Sequence, residues 1–162
     1  MMHKVQIRPL ERKDAKTSYI WRNDPDIWKL TGSRPDRTIT LQDEQNWIDK
    51  VISDATCRRF AIIADDIYVG NTYLTDIHDG TAEYHIFIGD KNYWGKGIAS
   101  AASKQLINFG RSKLHLKSIF LKVHEDNSVA IHVYGKMGFS RTGKEGKFIV
   151  MSLDLGGSYE KK

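Results

Sequence analysis

With one cysteine, three prolines and no long apolar run, this chain of 162 residues lacks the usual marks of several protein classes. The single thiol, Cys57, excludes an internal disulfide framework and fits a reducing compartment. So few prolines exclude a collagenous or proline-rich spacer, and 40% hydrophobic with 28% charged residues excludes a disordered chain. No apolar stretch approaches the roughly 18 residues of a membrane helix. Met1-Met2-His3-Lys4 runs straight into Val5-Gln6-Ile7-Arg8 without a signal-peptide core. A cytoplasmic protein with no membrane contact is therefore expected. His3, His78, His115, His124 and His132 show no tight ligand spacing, so no metal is expected.

What is present is enough for one core. A chain of this size buries roughly 70% of its unfolded surface, without disulfide or metal staples. Residues 1–155 are expected to form one domain and 156–162 a frayed tail. The formal net charge is +5, which raises the question of a nucleic-acid partner. Residues 1–81 carry 12 Lys/Arg against 13 Asp/Glu, whereas residues 82–162 carry 13 against 7. The excess thus belongs to the second half. It is dispersed, its longest clusters being pairs such as Lys161-Lys162, and aromatics are not interleaved as a base-stacking surface requires. Nucleic acid is an unfavoured partner.

Periodicity gives short strands alternating with amphipathic helices. Val5–Leu10 reads as a strand, and Glu11–Arg22 as a helix ended by Asn23-Asp24-Pro25, because the residue before proline is pushed out of the helical region. A loop is expected through Thr31-Gly32-Ser33-Arg34-Pro35. Thr40, with Asp43 three residues on, reads as the N-cap of a helix carrying Leu41, Ile48, Val51 and Ile52 on one face. Arg59–Ala64 and Ile67–Asp76 read as strands joined at Asp65-Asp66, and Ala82–Gly89 as a third after His78-Asp79-Gly80. A helix from Ile98 turns Ala102, Leu106 and Ile107 inward. Ser118–Val123 is a strand, Ser128–Met137 a helix stopped by Gly138, and Phe139–Thr142 and Lys147–Asp154 are strands.

Tyr93-Trp94-Gly95-Lys96-Gly97 before the Ile98 helix is a candidate anion site, because the first N–H groups of a helix have no internal acceptor and the helix dipole adds positive charge. A Walker A loop requires a glycine-lysine-serine/threonine ending that is absent here. A dinucleotide fingerprint requires a glycine where Ser100 stands and an acidic residue near His115–Lys117, and has neither. Taken alone, the glycine pair fits a plain turn past a strand equally well.

Asn92-Tyr93-Trp94-Gly95-Lys96-Gly97-Ile98-Ala99 resembles the acetyl-CoA motif of the GNAT superfamily of N-acetyltransferases, with Asn92 where the family has glutamine or arginine. The form Tyr-Trp-Gly-Lys-Gly is common in the branch that includes ribosomal-protein N-terminal acetyltransferases. Asn127-Ser128-Val129-Ala130-Ile131-His132-Val133-Tyr134-Gly135-Lys136-Met137-Gly138-Phe139 resembles the family's second signature, at the family's spacing. The resemblance implies an α/β (α+β) fold, with a central mixed, mostly antiparallel sheet of about seven strands and about four flanking helices.

It also implies roles. Gly95, Lys96, Gly97, Ile98 and Ala99 would hold the acetyl-CoA pyrophosphate at the helix start. Phe87 and Ile88 would hold pantetheine and the thioester carbonyl, on a strand that splays from its neighbour in the family. Asn127 would bond the cofactor, and Tyr134 would be the general acid that protonates the departing thiolate. Tyr134 fits core packing with Ile131 and Met137 as well, and Asn127 fits a helix N-cap. Glu83 is the candidate base that takes the amine's proton, with His85 on the same strand face; a cross-strand surface pair is the other reading. The implied activity is acetyl transfer from acetyl-CoA to a primary amine, of a protein N-terminus or of a small molecule such as an amino sugar, by direct attack in a ternary complex. A non-catalytic acyl-CoA- or nucleic-acid-binding module is the alternative. The acceptor pocket falls within Tyr19–Trp47, where aromatic and acidic side chains suit a cationic amine and Arg22, Arg34 and Arg37 suit a phosphate. An exposed last strand would leave an edge for a homodimer.

Overall fold

The computed structural model describes residues 3–32 and 34–156. Seven strands form one sheet in the order β1-β2-β3-β4-β5-β7-β6. In chain order the elements are β1 (Val5–Pro9), α1 (Ala15–Arg22), α2 (Pro25–Thr31), α3 (Leu41–Ile52), β2 (Arg58–Ala64), β3 (Ile67–His78), β4 (Thr81–Ile88), α4 (Ile98–Ser112), β5 (Ser118–His124), α5 (Ser128–Lys136), β6 (Ser140–Glu145) and β7 (Phe148–Asp154). The sheet is mixed: β4 pairs parallel with β5, while β1–β2, β5–β7 and β6–β7 are antiparallel. The fold implied by the two motifs is the fold observed.

Two turns join strands as their sequences dictate. Asp65 and Asp66 adopt φ of 52° and 70°, and Asp79 and Gly80 adopt 49° and 79°. Two successive residues at positive φ match the right-handed twist of flanking strands.

Two compact units make up the chain. The first, residues 1–73 and 86–106, carries apolar side chains on both faces of β2. Ile62 and Ala64 pack with Val69, Ile98 and Ala102 on one face, while Ala61 packs with Leu10, Ala15 and Ile48 on the other. This two-sided burial explains why Phe60–Ala64 is an unbroken apolar run rather than an alternating one. Gln105 of α4 ties down the first strand: its Oε1 accepts from Ile7 N–H at 3.0 Å and its Nε2 donates to the Val5 carbonyl at 2.8 Å. In the second unit, residues 74–85 and 107–162, Ile119, Leu121 and Val123 of β5 are buried at alternate positions, with Ile149 and Met151 of β7 beside them.

Three expectations are corrected. The helix expected over Glu11–Arg22 opens as a 3-10 turn at Arg12–Asp14, and α1 proper begins at Ala15. A fifth α-helix, α2, occupies Pro25–Thr31, just after the point where the sequence reads as a stop. Proline ends one helix and starts the next: at the first helical position its missing N–H costs nothing, and the Asp24 carboxylate accepts from Asp26 N–H at 3.0 Å. The last strand is not an edge either. β7 lies between β5 and β6, so the exposed edge is β6, all six residues of which are exposed. Of the tail expected at 156–162, residues 157–162 lie outside the described residues. Among the described residues no helix is long and apolar enough to cross a membrane.

Candidate active site

The glycine turn delivers the start of α4. Gly95 and Gly97 stand at φ of 69° and 76°, where L side chains are strained, and a Cβ on either would meet nothing within 4 Å. Conformation rather than crowding therefore requires glycine at both positions, and the space over the turn is open. Lys96 is exposed between them, Ile98 is buried and Ala99 half-buried. At the start of α4, Ala101 N–H donates to the Gly97 carbonyl at 3.2 Å. A 15-residue helix thus presents its first-turn amides beside a Cβ-free surface, a fit for a pyrophosphate.

β4 leads to this turn. The parallel register of β4 with β5 covers Thr81↔Ser118, Ala82↔Ile119 and Glu83↔Phe120. Within the first unit, Gly70 lets β3 approach closely: a Cβ there would lie 2.3 Å from the Phe87 carbonyl oxygen and 3.0 Å from Ile88 Cα. Gly89 N–H donates to the Val69 carbonyl at 2.8 Å. Phe87 and Gly89 therefore spend their backbone groups on the β3 side, and strand alternation turns the Ile88 N–H to the other edge. The Ile88 carbonyl accepts from Trp94 Nε1 at 2.8 Å, which pins the turn to the strand end.

Phe87 also lines a pocket of about 190 Å³ contained in the first unit. Trp21, Trp28, Trp47 and Tyr73 supply most of its aromatic wall. Trp21 packs against the Gly89 backbone so closely that a Cβ there would fall 2.1 Å from the indole, and its ring meets Phe87 edge-on at 5.9 Å. The expected Tyr19–Trp47 segment contributes Trp21, Arg22, Ile27, Trp28, Thr31, Glu44 and Trp47, while strands β2 and β3 contribute Arg59, Asn71 and Tyr73. Of the three arginines singled out, Arg37 is engaged by Asp43 at 2.6 Å and Arg34 stacks over Trp28 at 5.2 Å. Arg22 alone of the three lines the pocket. Arg59, which the sequence offers as the first residue of the Arg59–Ala64 strand, lines it too.

The remaining candidates belong to the second unit. Tyr134 of α5 stands edge-on to Tyr84 at 6.2 Å and Phe139 at 5.9 Å. Its hydroxyl bonds no described residue, and burial pushes the phenol above its usual 10.0. The ring is half-buried against these two aromatics, and the hydroxyl is left for a ligand. Asn127 caps α5, its Oδ1 accepting from Ala130 N–H at 3.1 Å, which leaves the Nδ2 donor without a partner among the described residues. Glu83 has a side chain 22% exposed, and its carboxylate lies 3.8 Å from His85 Nε2. His85 Nε2 is also 2.9 Å from Thr75 Oγ1. Burial raises the Glu83 carboxyl above 4.5, opposed by the charge of Lys122. Phe120 stands opposite Glu83 in the β4–β5 register, and the charges of Lys122, Asp76 and Glu145 act on the carboxylate.

Comparison with known proteins converges on one family. The acetyltransferase (GNAT) domain profile matches residues 4–140. Spermidine N(1)-acetyltransferase of Escherichia coli (strain K12) is 34% identical over 145 residues, covering 88% of this chain and 76% of that protein. The uncharacterized N-acetyltransferase p20 of Bacillus licheniformis is 28% identical over 145 residues, covering 86% of this chain and 81% of its own. Among solved structures, spermidine N-acetyltransferase from Vibrio cholerae in complex with CoA and spermine shares the fold with a TM-score of 0.84, at 24% identity over 93% of this chain and 95% of that one.

Proposed function

Because the chain belongs to the GNAT acetyltransferase family, we propose that it transfers the acetyl group of acetyl-CoA to a primary amine seated in the aromatic pocket, by direct attack in a ternary complex. The observation that carries this reading is the turn at Gly95–Gly97, both glycines at positive φ, feeding the N-terminus of α4.

Acetyl-CoA supplies a thioester activated toward amines. The backbone N–H groups of Gly95, Lys96, Gly97, Ile98 and Ala99 take the pyrophosphate, supported by the Lys96 ammonium. Asn127 donates its Nδ2 to the pantetheine arm. Phe87 packs the acyl end through its ring, and the Ile88 N–H donates to the carbonyl oxygen as negative charge develops there. One such donor contributes about 3 kcal/mol in comparable oxyanion holes. Glu83 removes the proton from the incoming ammonium, and the Tyr134 hydroxyl gives its proton to the leaving sulfur. Burial suits both groups to these tasks: it brings Glu83 toward neutrality, where a carboxylate is a better base, and keeps Tyr134 protonated.

Thiol release from acetyl-CoA, measured with a panel of amines that takes spermidine as the reference acceptor, tests the reading. Acetyl-CoA-dependent release with at least one amine is expected; release with none overturns it. The base assignment has its own signature. Glu83 must be ionised to act, so kcat/KM should rise with pH through the raised Glu83 pKa and level off above it. Glu83→Gln should remove that acid limb and lower the plateau by about 10². A pH–rate profile of unchanged shape in the variant would retire Glu83.

A further inference from the structure

The aromatic pocket carries a charge pattern that acetyl transfer by itself does not require. Its charged lining consists of Arg22, Glu44 and Arg59. Glu44 is 1% exposed and both of its oxygens are engaged: Oε1 accepts from Arg22 Nη1 at 2.7 Å and Oε2 from Ser18 Oγ at 2.7 Å. The one carboxylate in the lining is therefore spent on neutralising Arg22, whose guanidinium also lies over Trp47 at 5.0 Å. Arg59 has no such counterpart. Its buried Nε makes no hydrogen bond, and its guanidinium lies over Tyr73 at 4.4 Å and Trp47 at 4.9 Å. The exposed Asp54 senses the charge of Arg59, but its carboxylate bonds Thr56.

The lining thus sums to one uncompensated positive charge, borne by a planar donor fork held over two aromatic rings. A polycationic acceptor would meet two guanidinium groups and no unengaged carboxylate. An oxyanion meets the opposite situation, because a guanidinium held flat can donate two parallel N–H bonds to phosphate or carboxylate oxygens.

We infer that the pocket takes a primary amine bearing an oxyanion, phosphate or carboxylate, on its far end, with that oxyanion seated on Arg59 and the body of the molecule packed against the aromatic wall. This rests on the acetyl-transfer reading above and narrows its acceptor. The amine end is then directed toward Phe87, on the strand segment to which the thioester is assigned.

Two matched pairs of amines test it: glucosamine 6-phosphate against glucosamine, and 6-aminohexanoate against hexylamine, with spermidine as the cation without an oxyanion. Each is titrated against the full chain by tryptophan fluorescence, since Trp47 lies under both arginines, and each is assayed for thiol release from acetyl-CoA. In at least one pair the member bearing the oxyanion should bind at least tenfold more tightly than the member without it and more tightly than spermidine. The phosphate pair and the carboxylate pair report separately on which oxyanion is preferred.

Arg59→Gln should bring the ratio within that pair to about one, Arg59→Lys should restore part of it, and Arg58→Gln should leave it unchanged. A ratio taken within one variant is unaffected by a loss of folded protein. Ratios near one in both wild-type pairs, or tightest binding of spermidine, overturn the inference while leaving acetyl transfer standing if spermidine is acetylated. An Arg59-dependent preference with no thiol release from any amine leaves the anion pocket standing and overturns the acetyl-transfer reading instead.

Discussion

Tyr134→Phe is expected to lower kcat by about 10²- to 10³-fold while acetyl-CoA affinity, measured by isothermal titration, stays within about twofold. The asymmetry follows from how the side chain is divided. Its ring packs edge-on against Tyr84 and Phe139, contacts that phenylalanine keeps, and its hydroxyl bonds no described residue. Removing the hydroxyl therefore costs little packing and leaves no buried partner unsatisfied. What it removes is a proton donor. Burial holds the phenol above its usual 10.0, so the acid form persists through neutral and mildly alkaline pH, and an alkaline limb below that value belongs to another group. Unchanged turnover in Tyr134→Phe would show that the thiolate leaves without help from this residue.

Gly70→Ala is the second large effect, and it acts through backbone rather than chemistry. The added Cβ would sit 2.3 Å from the Phe87 carbonyl oxygen and 3.0 Å from Ile88 Cα, so it is the β4 backbone that must move. Overpacking of this kind costs about 2 kcal/mol, lowering Tm by about 4–8 °C in a chain of this size. The segment displaced is the one that carries the Ile88 N–H, so acetyl-CoA affinity should fall together with stability, by about tenfold for each 1.4 kcal/mol of lost contact. Gly135→Ala is the contrasting case. A Cβ at Gly135 meets nothing within 4 Å inside α5, and alanine there should stabilise by about 0.5–1 kcal/mol. Thermal melts of the two variants beside the wild type check both signs. A melt of Gly70→Ala that matches wild type would mean that β3 and β4 are not held as closely as described.

The parts of this protein that follow local rules are legible in its sequence. Thr40 and Asp43 bond each other's backbone amides at the start of α3, and the Asp65-Asp66 and Asp79-Gly80 pairs make the expected turns. Gly95 and Gly97 take the positive φ that their spacing implies. Local rules fail where one residue type has two uses. Pro25 reads as a helix stop but is also the first residue of α2, and only the Asp24 cap distinguishes the cases. They fail again where the deciding partner is far along the chain. Arg22 and Glu44 are neutralised by each other across 22 residues, and Arg59 reaches Trp47 and Tyr73 from a strand. In the sequence, Arg59 is read as the first residue of a strand. One signal was available: a cation next to the apolar run Phe60–Ala64, on the same strand face as Ala61, points into packed structure rather than into solvent. Likewise, the placement of β7 inside the sheet depends on the β6–β7 hairpin folding back, which no alternation pattern within Lys147–Asp154 encodes.

Direct transfer in a ternary complex is the claim on which the roles of Tyr134, Glu83 and Ile88 all depend. Initial rates of thiol release over a grid of acetyl-CoA and amine concentrations test it most directly. Lines that intersect in the double-reciprocal plot, with no acetyl group left on the protein after incubation with acetyl-CoA alone, are expected. Parallel lines together with an acetylated Cys57 would contradict it, because the acetyl group would then pass through the chain's single thiol before meeting the amine.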